Sequence, residues 1–490
     1  MVTHPRPRLL CWPPSIWIPR DRQAQTVGGI LLVALLSLGF RVFNLLSLPI
    51  YLDEVTFLDW GTEIWARRTR EALLIPIVAD NRQPLFVWLA GGVASLLPDP
   101  LVGGRLVSVL SGVASTIGIY LAGTWLNDRR VGLLAAVLYA LAPFSLFYDR
   151  LALMDALLNA AGVWAFALSV YITCRAEDSR RAATAGAGLG RALGVALWTK
   201  MTALFFLSFP PLCALLLSRR KRRASSAVGF AAGIAVFAAL VLLLFLIADP
   251  QKLWDSMSLY SESPSFLLAP QWDRWGAHAL RYWSWMESYL PAPLCWLVPV
   301  AAAWGTVRRT RQTLLLLGCW AAFTLPIALV ARMQFESRYV FPGVFPLILM
   351  VPMLLTALYR LPQTGVERRL FGALPRWFPG HVAASAIFLA VVGASLWFDV
   401  RLLTAPESAP LPPWDRGLFV TGWSSGYGFP EALRLVRKRT AELTRDGRPV
   451  IVLGYYWWGH AHAGLKLYMR GTPGVFFYVD SHLARDAQGF

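Results

Sequence analysis

Long apolar runs recur along the chain and are separated by short polar or basic segments. Most runs contain about 17–25 residues, the length that an α-helix needs to cross the hydrocarbon core of a bilayer. Strands of an outer-membrane barrel alternate over about ten residues, so this pattern excludes that class. The sequence predicts an all-α polytopic membrane protein with about eleven transmembrane helices. Its candidate spans are residues 27–47, 103–125, 131–148, 156–174, 183–198, 202–217, 226–247, 291–307, 313–331, 339–358 and 381–400.

One apolar stretch, Pro84 to Leu97, is short for a span and contains the pair Gly91-Gly92. If it crossed the membrane, Arg129 and Arg130 would lie outside, against the excess of Lys and Arg in cytoplasmic loops. If it lies in the interface, all basic loops share the side of the N-terminal arginines. These loops are at 129–130, 175–181, 219–223, 308–311 and 360–376. We therefore predict an interfacial or re-entrant helix at Pro84–Leu97, a cytoplasmic N-terminus and an external C-terminus.

The pattern changes after residue 401, where a Pro-rich stretch resembles a linker. Arg416-Gly-Leu-Phe-Val-Thr-Gly is strand-like, and Pro430 to Leu443 has helical spacing. Pro449-Val-Ile-Val-Leu-Gly and Val475-Phe-Phe-Tyr-Val each match a strand. We predict a transmembrane domain of residues 1–401, followed by a small soluble α/β domain of residues 402–490 on the external face.

Composition supports the membrane class. The 490 residues are 56% hydrophobic and only 15% charged, against roughly 25% charged residues in an ordinary soluble protein. The formal net charge of +18 comes from clusters between apolar runs, such as 219–223. It indicates contact with anionic membrane lipids, and no recognition motif suggests nucleic acid. A polar segment of more than twenty residues precedes the first run, so we expect no cleavable signal peptide. The five cysteines contain no CxxC pair and predict neither a disulfide framework nor a thiolate metal site.

Two adjacent carboxylates, Asp53 and Glu54, come directly after the first apolar run. Charges at the mouth of a membrane helix are costly unless they meet water, a cation or a substrate. A carboxylate there can act as a general base or hold a divalent cation. In an extended segment the two side chains would point to opposite sides, so we expect different roles. The alternative is a helix-end pair that meets only water and lipid headgroups.

Other charged residues gather on the predicted external face. Arg338 can bind phosphate oxygens in a bidentate fashion beside Tyr339, and Lys200 can act as a point charge for the same phosphate. The alternative for these residues is headgroup anchoring or snorkelling. A further set has plainer alternatives, namely a helix cap, a snorkelling arginine or a turn. This set comprises Asp149, Arg150 and Asp155 at the outer end of a span, and Asn81 and Arg82 before Pro84.

The order and sidedness of these motifs resemble the GT-C glycosyltransferases, over roughly residues 27–360. The similarity is to the dolichyl-phosphate-mannose protein mannosyltransferases and the bacterial aminoarabinose lipid A transferases. It is carried by the acidic pair after the first span, a Pro-led apolar helix and several short motifs. These motifs are Arg105-Leu-Val-Ser-Val-Leu-Ser-Gly, Tyr148-Asp149-Arg150 through Asp155, Trp198-Thr199-Lys200 and Arg338-Tyr339. One departure is Asn81-Arg82-Gln83-Pro84-Leu85, where relatives often have a double Pro.

The resemblance implies a GT-C fold with interfacial helices in the first external loop, in a bacterial-type plasma membrane. It also implies transfer of a sugar, with inversion, from a polyprenyl-phosphate donor to a glycan, lipid or protein acceptor outside the cytoplasm. Asp53 would be the general base, with Glu54 and Asp155 orienting the sugar, the base or a metal. The donor phosphate would meet Arg338, Lys200, Arg150 and Tyr339, and Asp149, Asn81 and Arg82 would contact the acceptor or sugar.

Three questions stay open in the sequence. Some members of the superfamily use a divalent cation and others do not, so Mg or Mn held by Asp53 and Asp155 is possible. A polytopic transporter or flippase of lipid-linked sugars is the alternative function, although transporters place ionisable residues near the midplane rather than at one face. The third question is whether the chain is an idle homologue that only binds lipid-linked glycans.

Overall fold

The computed structural model describes residues 20–249, 251, 270–332, 335–360, 379–445, 449–454 and 460–479. The helices of the first half are α1 (Arg20–Val42), α2 (Leu52–Arg67), α3 (Arg70–Leu73), α4 (Ile75–Asp80), α5 (Leu85–Ala94), α6 (Pro100–Leu126), α7 (Arg129–Ala140), α8 (Pro143–Tyr148), α9 (Met154–Cys174), α10 (Ser179–Thr199), α11 (Phe209–Leu217) and α12 (Arg223–Ile247). The second half contains α13 (Trp272–Tyr289), α14 (Ala292–Arg308), α15 (Thr310–Val330), α16 (Ser337–Val340), α17 (Phe345–Arg360), α18 (Gly380–Thr404), α19 (Pro413–Arg416), α20 (Phe429–Arg445) and α21 (Leu465–Met469). Two strands, β1 (Val450–Gly454) and β2 (Val475–Val479), and short 3₁₀- and π-helices complete the described chain.

The predicted polytopic helical architecture is confirmed, because all eleven predicted spans fall on helices. Six described helices are long and apolar enough to cross a membrane, and eight spans result if each of two bent helix pairs counts as one. The other three predicted spans are less regular. Residues 131–148 break at Pro143, which cannot donate the backbone hydrogen bond that would continue α7. Residues 183–198 form a less apolar helix, and 202–217 form a short 3₁₀-α combination.

The core lies around α6 and α9, where 67% and 72% of the apolar window is buried within the protein. The corresponding fractions are 22% for α1, 11% for α12 and 22% for α18. These outer helices carry exposed apolar side chains such as Leu35, Ile234 and Leu389. Such surfaces are what a hydrocarbon environment requires. Several helices begin at an Asp N-cap whose carboxylate accepts a hydrogen bond from a backbone N–H in the first turn. Asp99 accepts from Leu101, Asp128 from Arg130 and Asp178 from Arg181.

The predicted short helix at Pro84–Leu97 is present as α5. It packs against α2 through a close contact of two glycines, Gly61 and Gly91. A Cβ atom on Gly91 would lie 2.2 Å from the carbonyl carbon of Gly61, so only glycine permits this approach. The contact brings α2, which carries the acidic pair, against α5 and fixes its position over the core.

The tail agrees only partly with its prediction. Residues 413–421, predicted as a strand from Arg416, instead form α19 and a π-helix at Gly417–Thr421, so that prediction is wrong. Phe419 and Val420 are buried against the membrane helices, and this packing outweighs the local strand propensity. The helix at Phe429–Arg445 is confirmed, as are the two strands, which pair in parallel with Val450 opposite Val475. The domain boundary at residue 402 stays a prediction.

Some predicted features lie outside the described residues. They are the N-terminal arginines before residue 20 and most of the 360–376 basic loop. The sidedness inferred from basic loops therefore stays a prediction.

Candidate active site

The acidic pair lies in the first turn of α2 and not in an extended segment, so the extended conformation predicted for it is wrong. Tyr51 is the extended N-cap residue, and its backbone N–H donates to Glu54 Oε2 at 2.9 Å. This contact closes the first turn and draws Glu54 inward. Neighbouring side chains on a helix diverge by about 100°, so Asp53 and Glu54 still face different surroundings.

Glu54 is fully buried and bound to Arg105 of α6, with oxygen–nitrogen distances of 2.7 and 2.8 Å. It also accepts a hydrogen bond of 2.6 Å from the backbone N–H of Ala152. Arg105 in turn donates to the carbonyls of Leu45 and Leu48 at 2.8 and 2.9 Å. Glu54 therefore ties the start of α2 to α6 and to the loop after α1. The structure does not bring it to the groups around Asp53.

Asp53 forms an ion pair with Arg338 of α16, 285 residues later in the sequence. Arg338 is itself buried and has a second anionic partner, since its Nε lies 2.5 Å from Glu336 Oε2. The side chain of Asp53 keeps 22% of its surface exposed, whereas that of Glu54 keeps none. Of the two adjacent carboxylates, Asp53 is the one that a bound molecule can reach.

A second ion pair lies beside the first. Lys200, an extended residue at the break after α10, places its Nζ 2.7 Å from Asp155 Oδ1 at the start of α9. The ring of Tyr339 joins the two pairs, with Lys200 Nζ 4.5 Å and Arg338 Cζ 5.2 Å from its centroid. Such distances give cation–π attraction. Five predicted site residues thus meet in one group, which we call the paired cluster: Asp53, Asp155, Lys200, Arg338 and Tyr339.

The turn before α5 contributes a further cation to this region. Arg82 pairs with Asp80 at 2.7 Å and lies close enough to Asp53 and Tyr339 to influence the ionisation of Asp53. Asn81 adopts a left-handed conformation, φ 50°, which ends α4 and turns the chain toward α5. Asn tolerates this conformation better than most residues. Arg82 is therefore near the paired cluster. Asn81 forms the turn that places Arg82 in that position.

Charge balance in the paired cluster keeps its acid ionised. Burial alone would raise the pKa of Asp53, but Arg338, Arg82 and Lys200 together lower it below the ordinary value. For Lys200, burial lowers the pKa and outweighs the opposing effect of Asp155, while Arg338 lowers it further. The cluster thus holds two carboxylates and two cations, the buried Arg338 and the partly exposed Lys200, whose charges depend on each other.

The paired cluster is poorly suited to bind a divalent cation. Within the residues that the structure describes, no three His, Cys, Asp or Glu side chains are grouped so that they could hold a metal ion. The two carboxylates predicted as ligands, Asp53 and Asp155, are each paired with a protein cation. A metal would have to displace Arg338 or Lys200, so this donor set fits a metal poorly.

Two other predicted residues lie elsewhere. Arg150 donates to the carbonyls of Phe43 and Asn44, each at 2.6 Å, and closes the end of α1. Asp149 is fully buried and receives two hydrogen bonds from Arg41, at 3.0 and 2.8 Å. The structure does not bring either residue to the paired cluster, because both are committed to holding α1 against the core. This geometry gives no support to the predicted contacts of Arg150 with phosphate and of Asp149 with acceptor.

Two residues beside the cluster were missed in the sequence. Glu336 stands two positions before Arg338 in the same motif, and that proximity was a usable signal. Asp415 lies in the Pro-rich stretch interpreted as a linker, yet it is fully buried and accepts hydrogen bonds from Ser337, Tyr289 and Tyr148. No local pattern in the sequence points to Asp415, because all its partners are distant in the chain.

Residues 81–247 match the family described as dolichyl-phosphate-mannose-protein mannosyltransferase. The matched segment contains Arg82, Asp155 and Lys200, and lies between Asp53 and Arg338. No curated protein sequence matches the chain significantly.

Solved structures give broader matches. ArnT from Cupriavidus metallidurans, bound to undecaprenyl phosphate, superposes with a TM-score of 0.54 at 15% identity, covering 96% of this chain and 89% of that one. The apo oligosaccharyltransferase of Archaeoglobus fulgidus gives 0.56 at 14% identity, covering 91% and 64%. The oligosaccharyltransferase AglB of the same archaeon, in complex with an inhibitory peptide and a dolichol-phosphate, gives 0.52 at 12%, covering 93% and 65%. The chain has the fold of the GT-C membrane glycosyltransferases, as the resemblance predicted.

Proposed function

We propose that this protein transfers a sugar from a polyprenyl-phosphate donor to an acceptor on the external face of the plasma membrane. The transfer would proceed with inversion, and Asp53 would be the general base. The observation that carries the proposal is the Asp53–Arg338 ion pair, which lies beside the Lys200–Asp155 pair on a GT-C fold. An acid and two cations held together are the groups that such a transfer requires.

The donor is proposed to be a lipid phosphate for two reasons. Two proteins with this fold contain such molecules in their structures, ArnT undecaprenyl phosphate and AglB a dolichol-phosphate. In this chain Arg338 offers a planar guanidinium suited to phosphate oxygens, and Lys200 offers a second positive charge across the Tyr339 ring. A lipid donor also explains why these charges lie next to apolar helices.

Exchange of ion-pair partners links donor binding to base strength. A donor phosphate that binds Arg338 competes with Asp53 for the same guanidinium. Once that cation is neutralised, the main influence that lowers the pKa of Asp53 is removed. Asp53 then becomes a stronger base when the donor arrives, because burial raises its proton affinity.

The reaction itself then needs few further groups. The acceptor O–H or N–H would lose its proton to Asp53 as its heteroatom bonds to the anomeric carbon. The bond from that carbon to the phosphate oxygen would break, and its electron pair would leave with the phosphate. Arg338 and Lys200 would stabilise the negative charge that develops there. Asp155 holds Lys200 in place at 2.7 Å. Arg82, in the turn before α5, is the cation proposed to contact the acceptor or sugar.

The test begins with the lipid phosphate, which is common to all donors of this class. Undecaprenyl phosphate should bind the purified protein, and a labelled panel of its hexose and pentose derivatives should identify one that the enzyme consumes. Asp53→Asn should abolish release of undecaprenyl phosphate from that donor while leaving lipid binding in place. Asp273→Asn is the matched control, since it makes the same change at an exposed position of α13.

Two results would contradict the proposal. Full transfer by Asp53→Asn would remove Asp53 as the base. Movement of the intact labelled donor between leaflets of a vesicle, with no cleavage of the sugar–phosphate bond, would favour the flippase alternative.

A further inference from the structure

One short part of the tail, residues 413–425, contacts both sides of the paired cluster. Within this segment, the side chain of Asp415 is fully buried beside α16. A single oxygen of this carboxylate, Oδ2, accepts hydrogen bonds from Ser337, from Tyr289 at 2.5 Å and from Tyr148 at 3.3 Å. Tyr148 Oη also lies 2.6 Å from Ser337 Oγ, so the two hydroxyl protons are shared between this contact and Asp415. Asp415 thus gathers hydroxyl groups from three separate segments of the membrane helices.

This contact bears directly on Arg338. Ser337 is the first residue of α16 and immediately precedes Arg338, and α16 spans only Ser337–Val340. It continues through a 3₁₀ turn at Phe341–Gly343 into α17 across a bend of 46°, so the direction of its first turn depends on contacts at Ser337. The Ser337–Asp415 hydrogen bond is such an anchor at the residue adjacent to Arg338.

The same tail segment holds the start of α2 on the other side. The ring of Phe419 packs on Tyr51 with centroids 4.4 Å apart. The carbonyl of Ser424 accepts a hydrogen bond of 3.1 Å from the backbone N–H of Leu52, the residue before Asp53. Within ten residues the tail therefore touches the immediate neighbours of both members of the Asp53–Arg338 pair.

We infer that Asp415 is a positioning residue for Arg338, and that residues 413–425 set the separation between Arg338 and Asp53. Asp415 touches no reacting group; it acts through Ser337. The consequence for lipid phosphate binding rests on the proposed function, whereas the consequence for the Asp53–Arg338 pair does not. The two consequences are therefore measured separately.

The first measurement is binding of undecaprenyl phosphate, in detergent, per folded molecule. Asp415→Ala should raise the Kd about tenfold, the effect of one misdirected charge-assisted contact. Ser337→Ala removes the linking hydroxyl with a smaller change in volume, and should raise the Kd in the same direction if Asp415→Ala does not fold. Glu407→Ala, which removes an exposed carboxylate from the same tail, should leave the Kd unchanged.

The second measurement is a double-mutant cycle on the thermal midpoint, which needs no donor. The change in midpoint caused by Asp53→Asn should shrink by at least half in the Asp415→Ala or Ser337→Ala background, because the ion pair is then already loosened. Contacts that do not communicate give additive changes.

The outcomes separate the two ideas. If wild-type protein does not bind undecaprenyl phosphate but the cycle is non-additive, the donor proposal fails and the positioning role stands. If the midpoint changes add, or if lipid binding is normal in both Asp415→Ala and Ser337→Ala, the positioning role is overturned. A purely structural role would lower the amount of folded protein without changing the Kd of what remains folded.

Discussion

Glu54→Gln should destabilise the protein while Asp53→Asn should inactivate it, although the two residues are adjacent. Glu54 is buried against Arg105, and Asp53 is partly exposed within the paired cluster. Glutamine keeps the shape of Glu54 and removes its charge. The structure therefore assigns opposite consequences to two similar changes one position apart.

The size of the effect follows from the partners of Glu54. Removing one member of a buried ion pair typically costs about 3–5 kcal/mol, because the other charge stays buried without compensation. Arg105 keeps its carbonyl acceptors at Leu45 and Leu48, which places the loss of charge at the lower end of that range. The new amide NH₂ group, however, faces a backbone N–H of either Tyr51 or Ala152, and that donor loses its acceptor. An unsatisfied buried donor costs about 1–3 kcal/mol more.

Thermal unfolding in detergent, followed by intrinsic fluorescence, measures this loss. The midpoint of Glu54→Gln should fall by roughly 5 °C or more. Asp53→Asn should lower it by a smaller but measurable amount, because Arg338 keeps Glu336 as a partner. Activity is then measured below the midpoint of both variants, per folded molecule. Glu54→Gln should retain measurable sugar transfer, and Asp53→Asn should have none.

The reverse pattern would refute the reasoning. A Glu54→Gln protein with a normal midpoint and no transfer would mean that Glu54 takes part in the chemistry, as one reading of the sequence proposed. A large loss of midpoint in Asp53→Asn would mean that the paired cluster is chiefly structural.

Three further predictions concern ionisation, metal and topology. Burial raises the pKa of Asp415 to about 6, above its value in an unfolded chain. The contribution of Asp415 to stability should therefore be largest below about pH 4 and fall by about 3 kcal/mol as pH rises through 6. The difference in midpoint between the wild-type protein and Asp415→Asn, measured from pH 4.5 to 7, should show this slope. Because Asp53 and Asp155 already have cationic partners, EDTA should leave sugar transfer unchanged; a loss that Mn restores would contradict this. A reporter fused after Arg130 should be cytoplasmic, and an external signal would mean that Pro84–Leu97 crosses the membrane.

The sequence was sufficient for the features that depend on composition and local pattern. Apolar run length identified the long apolar helices, although α13 lay in no predicted span, and the Pro-led helix α5 was evident from its length and its Pro. Charge, order and the family resemblance also placed Asp53, Asp155, Lys200, Arg338 and Tyr339 among the candidate site residues, and each stands at a polar interruption of an apolar run. A charged residue at the edge of a membrane helix needs an oppositely charged partner, and the sequence contains few residues that could be that partner.

What the sequence could not supply was the choice of partner. Glu54, Asp149 and Arg150 have the same local signature as the residues of the paired cluster, yet each is bound to a structural group far away in the chain. The strand predicted from Arg416 failed for a related reason, because burial of Phe419 against Tyr51 decided the conformation of that segment. Long-range packing, which no window of sequence contains, settled both cases.

The distinction between Asp53 and Glu54 follows from how a membrane protein keeps charges near hydrocarbon. A charged group whose partners all lie within the protein is stable and unreactive. Glu54 is such a group, because its contacts are with Tyr51, Arg105 and Ala152. A charged group that takes part in a reaction must be able to exchange its ion-pair partner. Arg338 can separate from Asp53 because Glu336 remains beside it. In the proposed reaction the donor phosphate replaces Asp53 on Arg338, so Arg338 has an anionic partner before and after donor binding. Asp53 is the group that loses its partner, and it gains proton affinity only when the donor phosphate is in place.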